Sequence, residues 1–352
     1  MSISFRRVAV LGLASLAFAA AGCGEDEEEP AAGGGAAAES TATEAEKPAI
    51  KVGLVTDIGG LNDRSFNTLA NKGLEDAKKQ LGIEGRVITS KANSDYVPNL
   101  SSLAQQKYDL VVGVGFLMSE AMDTVSKRFP ETNFAIVDFP ATGLKSKPKN
   151  VRGLLFKEAE AGYLAGYLAG KVAEKEGFDT VSSVGGQKIP PVDAYIAGYQ
   201  AGAEAANPGI KTLNGYSQDF VDQAKCKELG LSQIQRGSGV VFQVAGQCGL
   251  GALDAAKEQD KLGIGVDADQ SFLGEHILTS AQKKVDVSVF ETIKAVQDGA
   301  FQGGEDQIFD VKSEGVALGK MNAAGTEFEA DVQKVQEQIA AGEIEIPTTV
   351  EE

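Results

Sequence analysis

The chain has 352 residues, 43% of them hydrophobic, and a formal net charge of −17. This charge argues against nucleic-acid binding and against electrostatic adhesion to anionic lipid, because both require clustered Lys and Arg. The part beyond residue 47, about 300 residues, is long enough to suggest two lobes.

The N-terminal residues have the pattern of an export signal. Two arginines precede the apolar run Val8–Ala21, which is too short to span a bilayer as a helix. Small residues then lead to Cys23, as in the lipobox of bacterial lipoproteins, although position −3 is Ala20 where most lipoboxes have Leu. An ordinary small-residue cleavage site is the alternative. We expect residues 1–22 to be a signal peptide, and a lipid on Cys23 to anchor the chain to the extracytoplasmic side of the cell membrane.

The segment 23–47 contains the acidic run Glu25–Glu29 and then mostly Ala, Gly, Ser, Thr and Glu. Such a composition offers almost nothing to bury and cannot offset the entropy of ordering the chain. We therefore predict a disordered tether that holds the globular part away from the membrane.

From Ile50 onward, short β-branched runs alternate with amphipathic stretches, which predicts βαβ units around a mostly parallel sheet. A strand Ile50–Val55 is followed by a helix that begins near Phe66, and the turn between them is a favoured ligand site in such sheets. Further strands are predicted at Val87–Thr89, Asp109–Val114, Phe134–Val137 and Val151–Phe156. The long helix Ala159–Lys175 carries small residues that permit close packing against another helix, and it marks the first crossover to a second lobe.

The second lobe is predicted to repeat the pattern, with strands at Thr180–Val184, Lys211–Tyr216, Val240–Val244 and Gly263–Val266. The chain then re-enters the first lobe with the strand His276–Thr279 and the helix Val287–Asp298. These predictions give lobe 1 as 48–157 and about 276–305, lobe 2 as 158–275 and about 306–346, and a tail at 347–352.

The predicted architecture is an α/β fold of two doubly wound parallel-sheet lobes joined by several crossovers. Hinged binding proteins have this arrangement, and a ligand between the lobes closes them. A tandem of independent domains is the alternative.

Of the three cysteines, Cys226 and Cys248 remain when Cys23 is set aside. A pair in an exported domain usually forms a disulfide, and two unpaired buried thiols are the alternative.

The residues Asp63 to Asn67 read Asp-Arg-Ser-Phe-Asn. They resemble the Asp-x-Ser-Phe-Asn signature of the basic membrane protein family, the purine-nucleoside-receptor-like lipoproteins. The segments Val241–Gly246, Ile264–Gln270 and Leu278–Lys283 also match, in the family's order and spacing. The resemblance implies a type I periplasmic-binding-protein fold, a nucleoside as ligand and an ABC-type permease as partner.

The resemblance also implies which residues line the cleft. Asn62 and Asp63 match positions that hydrogen-bond the base edge, where a carboxylate accepts from N–H groups. A helix cap is an alternative or additional role for Asp63. Asp138 resembles a further polar cleft residue, and Asn67 and Gly246 belong to the matching motifs.

Phe66 and Phe242 resemble the aromatic walls between which a base stacks. An ordinary core position is the alternative for each, and Phe116 is a substitute wall. Asp267 and Lys283 resemble the pair that binds the ribose hydroxyls through charge-assisted hydrogen bonds. The alternative for this pair is a salt bridge between the lobes.

Asp269 completes the expected site. It is either a second acceptor for the ribose or the residue that shapes its turn.

The sequence has no nucleophile elbow, no Walker loop and no dinucleotide motif. Its single histidine, His276, has no cysteine or carboxylate at the spacing of metal ligands. We therefore expect a monomeric solute receptor without enzymatic activity, cofactor or metal. A receptor for a sugar, or a surface adhesin without a transport role, are the alternatives.

Overall fold

The computed structural model describes residues 49–350. The predicted signal peptide, the lipidation site Cys23 and the tether lie outside the described residues, as do the last two residues of the predicted tail. Within residues 49–350, no helix is long and apolar enough to cross a bilayer.

Two six-stranded sheets form the framework. The strands are β1 Lys51–Val55, β2 Glu84–Ile88, β3 Leu110–Val114, β4 Asn133–Val137, β5 Val151–Phe156, β6 Thr180–Gly185, β7 Lys211–Tyr216, β8 Ser238–Val244, β9 Leu262–Asp267, β10 Ile277–Lys283, β11 Asp306–Phe309 and β12 Val316–Leu318. The first sheet has the order β11-β5-β4-β3-β1-β2 and the second has the order β12-β10-β9-β8-β6-β7. Every pairing between these strands is parallel except that of β10 with β12.

Helices connect and cover the strands. They are α1 Phe66–Leu81, α2 Tyr96–Gln105, α3 Ser119–Arg128, α4 Glu158–Glu176, α5 Pro190–Ala206, α6 Gln223–Gln235, α7 Gly246–Glu258, α8 Val285–Gln297, α9 Ala323–Thr326 and α10 Glu329–Ala340. In α1 the buried residues Ala70, Leu74 and Ala77 recur at the helical period, so this helix presents one apolar stripe to the sheet.

The helices α4 and α5 pack unusually closely. A Cβ atom on Gly166 of α4 would overlap the carbonyl oxygen of Tyr199, and one on Gly202 of α5 would overlap that of Tyr163. Small residues at these positions let the two backbones meet, as the sequence pattern in Ala159–Lys175 predicts. This pair fixes the helical layer beside the second sheet.

Three crossovers join the two halves, which we call the first lobe (the first sheet with α1–α3 and α8) and the second lobe (the second sheet with α4–α7, α9 and α10). The chain crosses at Lys157, at Lys284 and at residues 310–315. Hydrogen bonds tie the crossovers together: Lys157 N donates to Phe309 O at 2.9 Å, and Val311 N donates to a Glu160 carboxylate oxygen at 2.8 Å.

The prediction of two doubly wound, mostly parallel lobes is confirmed, but two strands were assigned to the wrong sheet. The strand predicted to re-enter the first lobe at His276–Thr279 is β10, which pairs with β9 and β12 in the second sheet. Conversely, β11 begins at residue 306, within the segment predicted for lobe 2, and pairs with β5 in the first sheet. Strand periodicity encodes burial but not the identity of the partner strand, and these strands flank the crossovers.

Candidate functional site

A cleft lies between the lobes, at the carboxyl ends of several strands from both sheets. Its empty space is about 610 Å³, counting the part that opens to solvent. Open α/β sheets bind ligands at this edge because the loops that follow the strands converge there. Most of the predicted binding residues line the cleft, namely Asp63, Phe66, Asn67, Phe116, Asp138, Gly246, Asp267 and Lys283.

Phe242 was predicted as an aromatic wall, and the structure contradicts this. The side chain is fully buried within β8 and packs against the rings of Tyr195 and Tyr199, at centroid distances of 6.0 and 5.1 Å. It belongs to the main hydrophobic core and is absent from the cleft lining. The core alternative is therefore the correct one.

Asn62 and Asp269 also lie outside the lining. Asn62 is exposed and borders a separate surface depression together with Arg64 and Thr68. Asp269 accepts a hydrogen bond from Ser271 N at 3.0 Å, which matches the turn-shaping alternative. Neither side chain is placed to reach a ligand in the cleft.

Phe220 supplies the aromatic wall of the second lobe that the sequence interpretation missed. It lies in the loop between β7 and α6, and its ring rests on the backbone of Gly186, where a Cβ atom would overlap it. With Tyr195 from the same lobe, it lines the cleft together with Phe66 and Phe116 of the first lobe. The signal was present, since Phe220 follows the predicted strand Lys211–Tyr216 as Phe116 follows its own strand.

Asp63 caps the first turn of α1. Its carboxylate accepts from Asn67 N at 2.6 Å and from Ser65 N and Thr68 N at 3.1 Å each. The Thr68 hydroxyl donates to it at 2.7 Å. Because the chain's own donors occupy both oxygens, the capping role is the one that the structure displays.

Asp57, at the end of β1, is a second cleft residue that the sequence interpretation missed. One oxygen, Oδ1, accepts from the Tyr96 hydroxyl and from Ile58 N at 2.7 Å. The other, Oδ2, accepts no hydrogen bond from any residue in the range 49–350 and lies beside Gly115, whose lack of a side chain leaves room for it. Burial raises the pKa of Asp57 to about 6.

Lys283 lies among buried carboxylates. Its ammonium nitrogen is 2.8 Å from Asp138 Oδ2, 3.4 Å from Glu158 Oε1 and 3.8 Å from Asp267 Oδ1. It also lies 4.8 Å from the centre of the Phe66 ring. Since Lys283 ends β10 and Asp138 follows β4, this ion pair crosses from the second lobe to the first. The interlobe salt bridge therefore joins Lys283 to Asp138. Asp267 ends β9 in the same lobe as Lys283, so the alternative of an Asp267–Lys283 salt bridge between the lobes is not what the structure shows.

The cluster has more hydrogen-bond acceptors than Lys283 can satisfy. Burial raises the pKa of all three carboxyl groups, Asp138 included, and the value reaches about 6 for Asp267 and about 8 for Glu158. The nearby ammonium opposes this rise. Burial alone would lower the pKa of Lys283, but the three carboxylates raise it. Asp138 Oδ1 is buried and has no hydrogen-bond partner in the described part of the chain. One cation cannot satisfy three acids, so ligand O–H or N–H groups would find free acceptors here.

The backbone supports the same interpretation. Asp138 and Asp267 have φ angles of 67° and 60°, a left-handed conformation that non-glycine residues rarely adopt. Such strain persists only where the surroundings hold it, and it is concentrated at functional sites. A cluster of His, Cys, Asp or Glu suited to a metal ion is not found among residues 49–350.

Comparison with known proteins gives a consistent result. Residues 50–350 match the family model described as ABC transporter substrate-binding protein, PnrA-like. The ABC transporter nucleoside-binding protein BmpA of Lactococcus lactis is 33% identical over 324 residues, which cover 86% of this chain and 90% of BmpA. An uncharacterized lipoprotein of Pyrococcus abyssi is 34% identical over 276 residues, or 75% of this chain and 68% of that protein.

Solved structures agree in fold. An ABC transporter solute-binding protein from Aeropyrum pernix aligns with a TM-score of 0.78 at 26% identity, covering 86% of this chain and 94% of that one. A second solute-binding protein, from Conexibacter woesei, aligns with a TM-score of 0.69 at 26% identity and covers 86% of this chain and all of the other.

Proposed function

We propose that this chain, which belongs to the family of PnrA-like ABC transporter substrate-binding proteins, binds a nucleoside, preferably a purine nucleoside, in the cleft between its lobes. The family consists of solute-binding proteins and not of enzymes. The observation that carries the proposal is that the same cleft contains aromatic rings from both lobes and carboxylate oxygens that lack hydrogen-bond partners. A nucleoside has a flat base for the rings and hydroxyl donors for the acceptors.

The residue roles follow from this pairing. Phe220 of the second lobe and Phe66 or Phe116 of the first would stack on the base. Asp138 and Asp267 would accept from the ribose hydroxyls, and Lys283 would donate to them. Asp57 Oδ2 is the free acceptor left for N–H groups of the base. Asp63 would contribute by holding α1 in place.

Delivery to the membrane completes the proposal. Relatives are named as lipoproteins and as a component of an ABC transporter, which supports a lipid anchor at Cys23 and transfer of the ligand to an ABC-type permease. The anchor would keep the receptor close to that permease, on the extracytoplasmic side, and we propose that it acts as a monomer.

Calorimetric titration of the ligand-stripped protein with adenosine, inosine, a deoxynucleoside and free ribose tests the ligand. Asp267→Ala is expected to weaken adenosine binding by about ten- to a hundredfold, because a charged hydrogen-bond partner contributes about 1.5–3 kcal/mol. This variant should also discriminate less between ribonucleoside and deoxynucleoside. Phe220→Ala should weaken both by a similar factor, about 1–3 kcal/mol for one stacking wall.

Phe301→Ala is the matched control, since Phe301 does not line the cleft and its ring contacts Arg152 of the same lobe. Its affinity should equal that of the wild type. Tight binding of free ribose without preference for a nucleoside would contradict the proposal, and so would unchanged adenosine affinity in both cleft variants.

A further inference from the structure

The link between Cys226 and Cys248 lies directly behind one wall of the cleft. Cys226 belongs to α6 and Cys248 to α7, both side chains are fully buried, and the structure joins them with a Cα separation of 5.5 Å. They sit in a small apolar cluster that includes Val184 and Val241. Nothing in the proposed binding of a nucleoside uses this link.

Cys248 is hydrogen-bonded to the loop that carries the Phe220 wall. Its backbone N–H donates to the carbonyl oxygen of Phe220 at 3.1 Å. Its sulfur atom lies 3.5 Å from the hydroxyl oxygen of Ser217, at the start of the same loop. Because the Phe220 ring lines the cleft, one end of the link is coupled to a ligand-facing wall through a single hydrogen bond.

The other cleft segment near the link is the first turn of α7. Gly246 and Gln247 line the cleft and are directly followed by Cys248. A Cβ atom on Gly251 of α7 would overlap the carbonyl oxygen of Gln223, the first residue of α6, so the start of α6 packs against the second turn of α7. A covalent link there fixes the spacing between the Phe220 loop and the 246–247 turn.

We propose that the Cys226–Cys248 disulfide is a positioning element for ligand binding, which holds Phe220 and the 246–247 turn in place before the ligand arrives. This inference rests on the proposed function. Without the disulfide, the loop would be ordered only on binding, and that ordering would consume part of the binding free energy. The expected loss of affinity is about three- to tenfold.

A mutant cycle tests whether the disulfide acts through Phe220. Non-reducing peptide mapping must first find Cys226 linked to Cys248. Adenosine affinity is then measured for the wild type, Cys226→Ala/Cys248→Ala, Phe220→Ala and the triple variant. If the disulfide positions Phe220, its removal should weaken binding clearly less once Phe220 is alanine than it does in the wild type, and the remaining loss would come from the 246–247 turn. Free thiols, unchanged affinity of the double variant or strictly additive losses would each overturn the inference.

Loss of stability alone must be separated from loss of positioning. Ile339→Ala in α10 removes buried side-chain volume in the second lobe far along the chain from the wall, so it should lower the melting temperature without changing affinity. If Ile339→Ala weakened adenosine binding as much as the double cysteine variant, positioning would not be the cause.

Hydrogen exchange of the ligand-free protein tests the inference without the use of a ligand. In Cys226→Ala/Cys248→Ala, the amides of residues 217–222 and of position 248 should exchange at least about tenfold faster, whereas those of β8 stay protected. Unchanged exchange at 217–222 would refute the positioning role. If the wild type binds no nucleoside while the double cysteine variant still shows the faster exchange, the proposed function is refuted. The coupling between the disulfide and the Phe220 loop would then remain supported.

Discussion

At the scale of single residues, the cleft is governed by a shortage of positive charge. The one ammonium of Lys283 faces Asp138, Glu158 and Asp267, and all four side chains are buried. Breaking a buried ion pair by removing one partner is costly, because the remaining charge is neither solvated nor compensated. Lys283 is therefore as important to the ligand-free protein as to the proposed complex.

Replacing Lys283 by methionine should destabilise the protein strongly. The free energy of unfolding at pH 8 is expected to fall by about 3–5 kcal/mol, since three buried carboxyl groups lose their counter-charge. The loss should shrink at pH 5, where these groups take up protons. Chemical denaturation at both pH values measures it.

Lys145→Met is the matched control for this variant. Lys145 pairs with Glu120 at 3.3 Å, and the two side chains are 83% and 85% exposed. Surface ion pairs contribute less than about 1 kcal/mol, so a small and similar change at both pH values is expected. Equal losses in the two lysine variants would show that the buried cluster is not under electrostatic control.

The carboxyl groups also predict how stability depends on pH. Their pKa values in the folded chain are raised, to about 6 for Asp57 and Asp267 and to about 8 for Glu158. The folded state therefore binds protons more tightly than the unfolded state, and the associated stability is present below pH 4 and lost as the pH rises through 6 to 8.

The melting temperature of the ligand-free protein should accordingly be higher at pH 5 than at pH 8. Glu158→Gln should flatten the profile between pH 6 and 8, by a free-energy change on the order of 2 kcal/mol. Glu120→Gln, at an exposed glutamate, should leave the profile as it is. A wild-type profile that rises from pH 5 to pH 8 would contradict the prediction.

Most of the binding residues that the sequence predicted do line the cleft, and the errors have a physical origin. Phe242 and Phe220 both lie near a strand end, but Phe242 is within β8 while Phe220 follows β7. In a strand that is covered by helices on both faces, both faces are apolar. The alternation of polar and apolar residues therefore does not show which side chains point to the core. Asp57 was missed although it lies two residues after β1, since its role depends on contacts with Tyr96 and Asn67 that the local sequence pattern does not reveal.

At the scale of elements, boundaries were predictable where the pattern is local. The bounds of β5 and β7 coincide with the prediction, and a polar residue, Lys157 or Ser217, directly follows each strand. Sheet membership was not predictable for β10 and β11, because it depends on which partner edge is free after the chain crosses. The close packing of α4 and α5 was foreseen from its small residues, without the identity of the partner helix.

The contact between α4 and α5 gives a direct test. Gly166→Val should lower the free energy of unfolding by at least about 2 kcal/mol, because the added side chain would force two packed backbones apart. Gly215→Ala in β7 is the control, since its Cβ atom would meet other atoms only at 3.4 Å or more. Thermal melts of both variants make the comparison, and tolerance of Gly166→Val would mean that the helices are not in close contact.

At the scale of the whole molecule, anchoring and folding concern different parts of the chain. If Cys23 carries the lipid, Cys23→Ala should leave the protein in the soluble exported fraction or as an uncleaved precursor. Cell fractionation and mass spectrometry of the N-terminus measure this outcome, and Cys226→Ala serves as the control that should stay membrane-bound. Mature membrane-bound protein in the Cys23 variant would exclude the proposed anchor.

The position of β11 has a consequence for the time course of folding. This strand completes the first sheet beside β5, although every strand from β6 to β10 lies between them in the chain. The first lobe therefore cannot finish folding as its residues emerge, and its last strand must find β5 across a long loop, which slows folding. Until it arrives, β5 is an open sheet edge that can pair with another chain. A chain cut short before residue 306 would keep that edge permanently, so its failure should take the form of aggregation rather than a smaller folded protein.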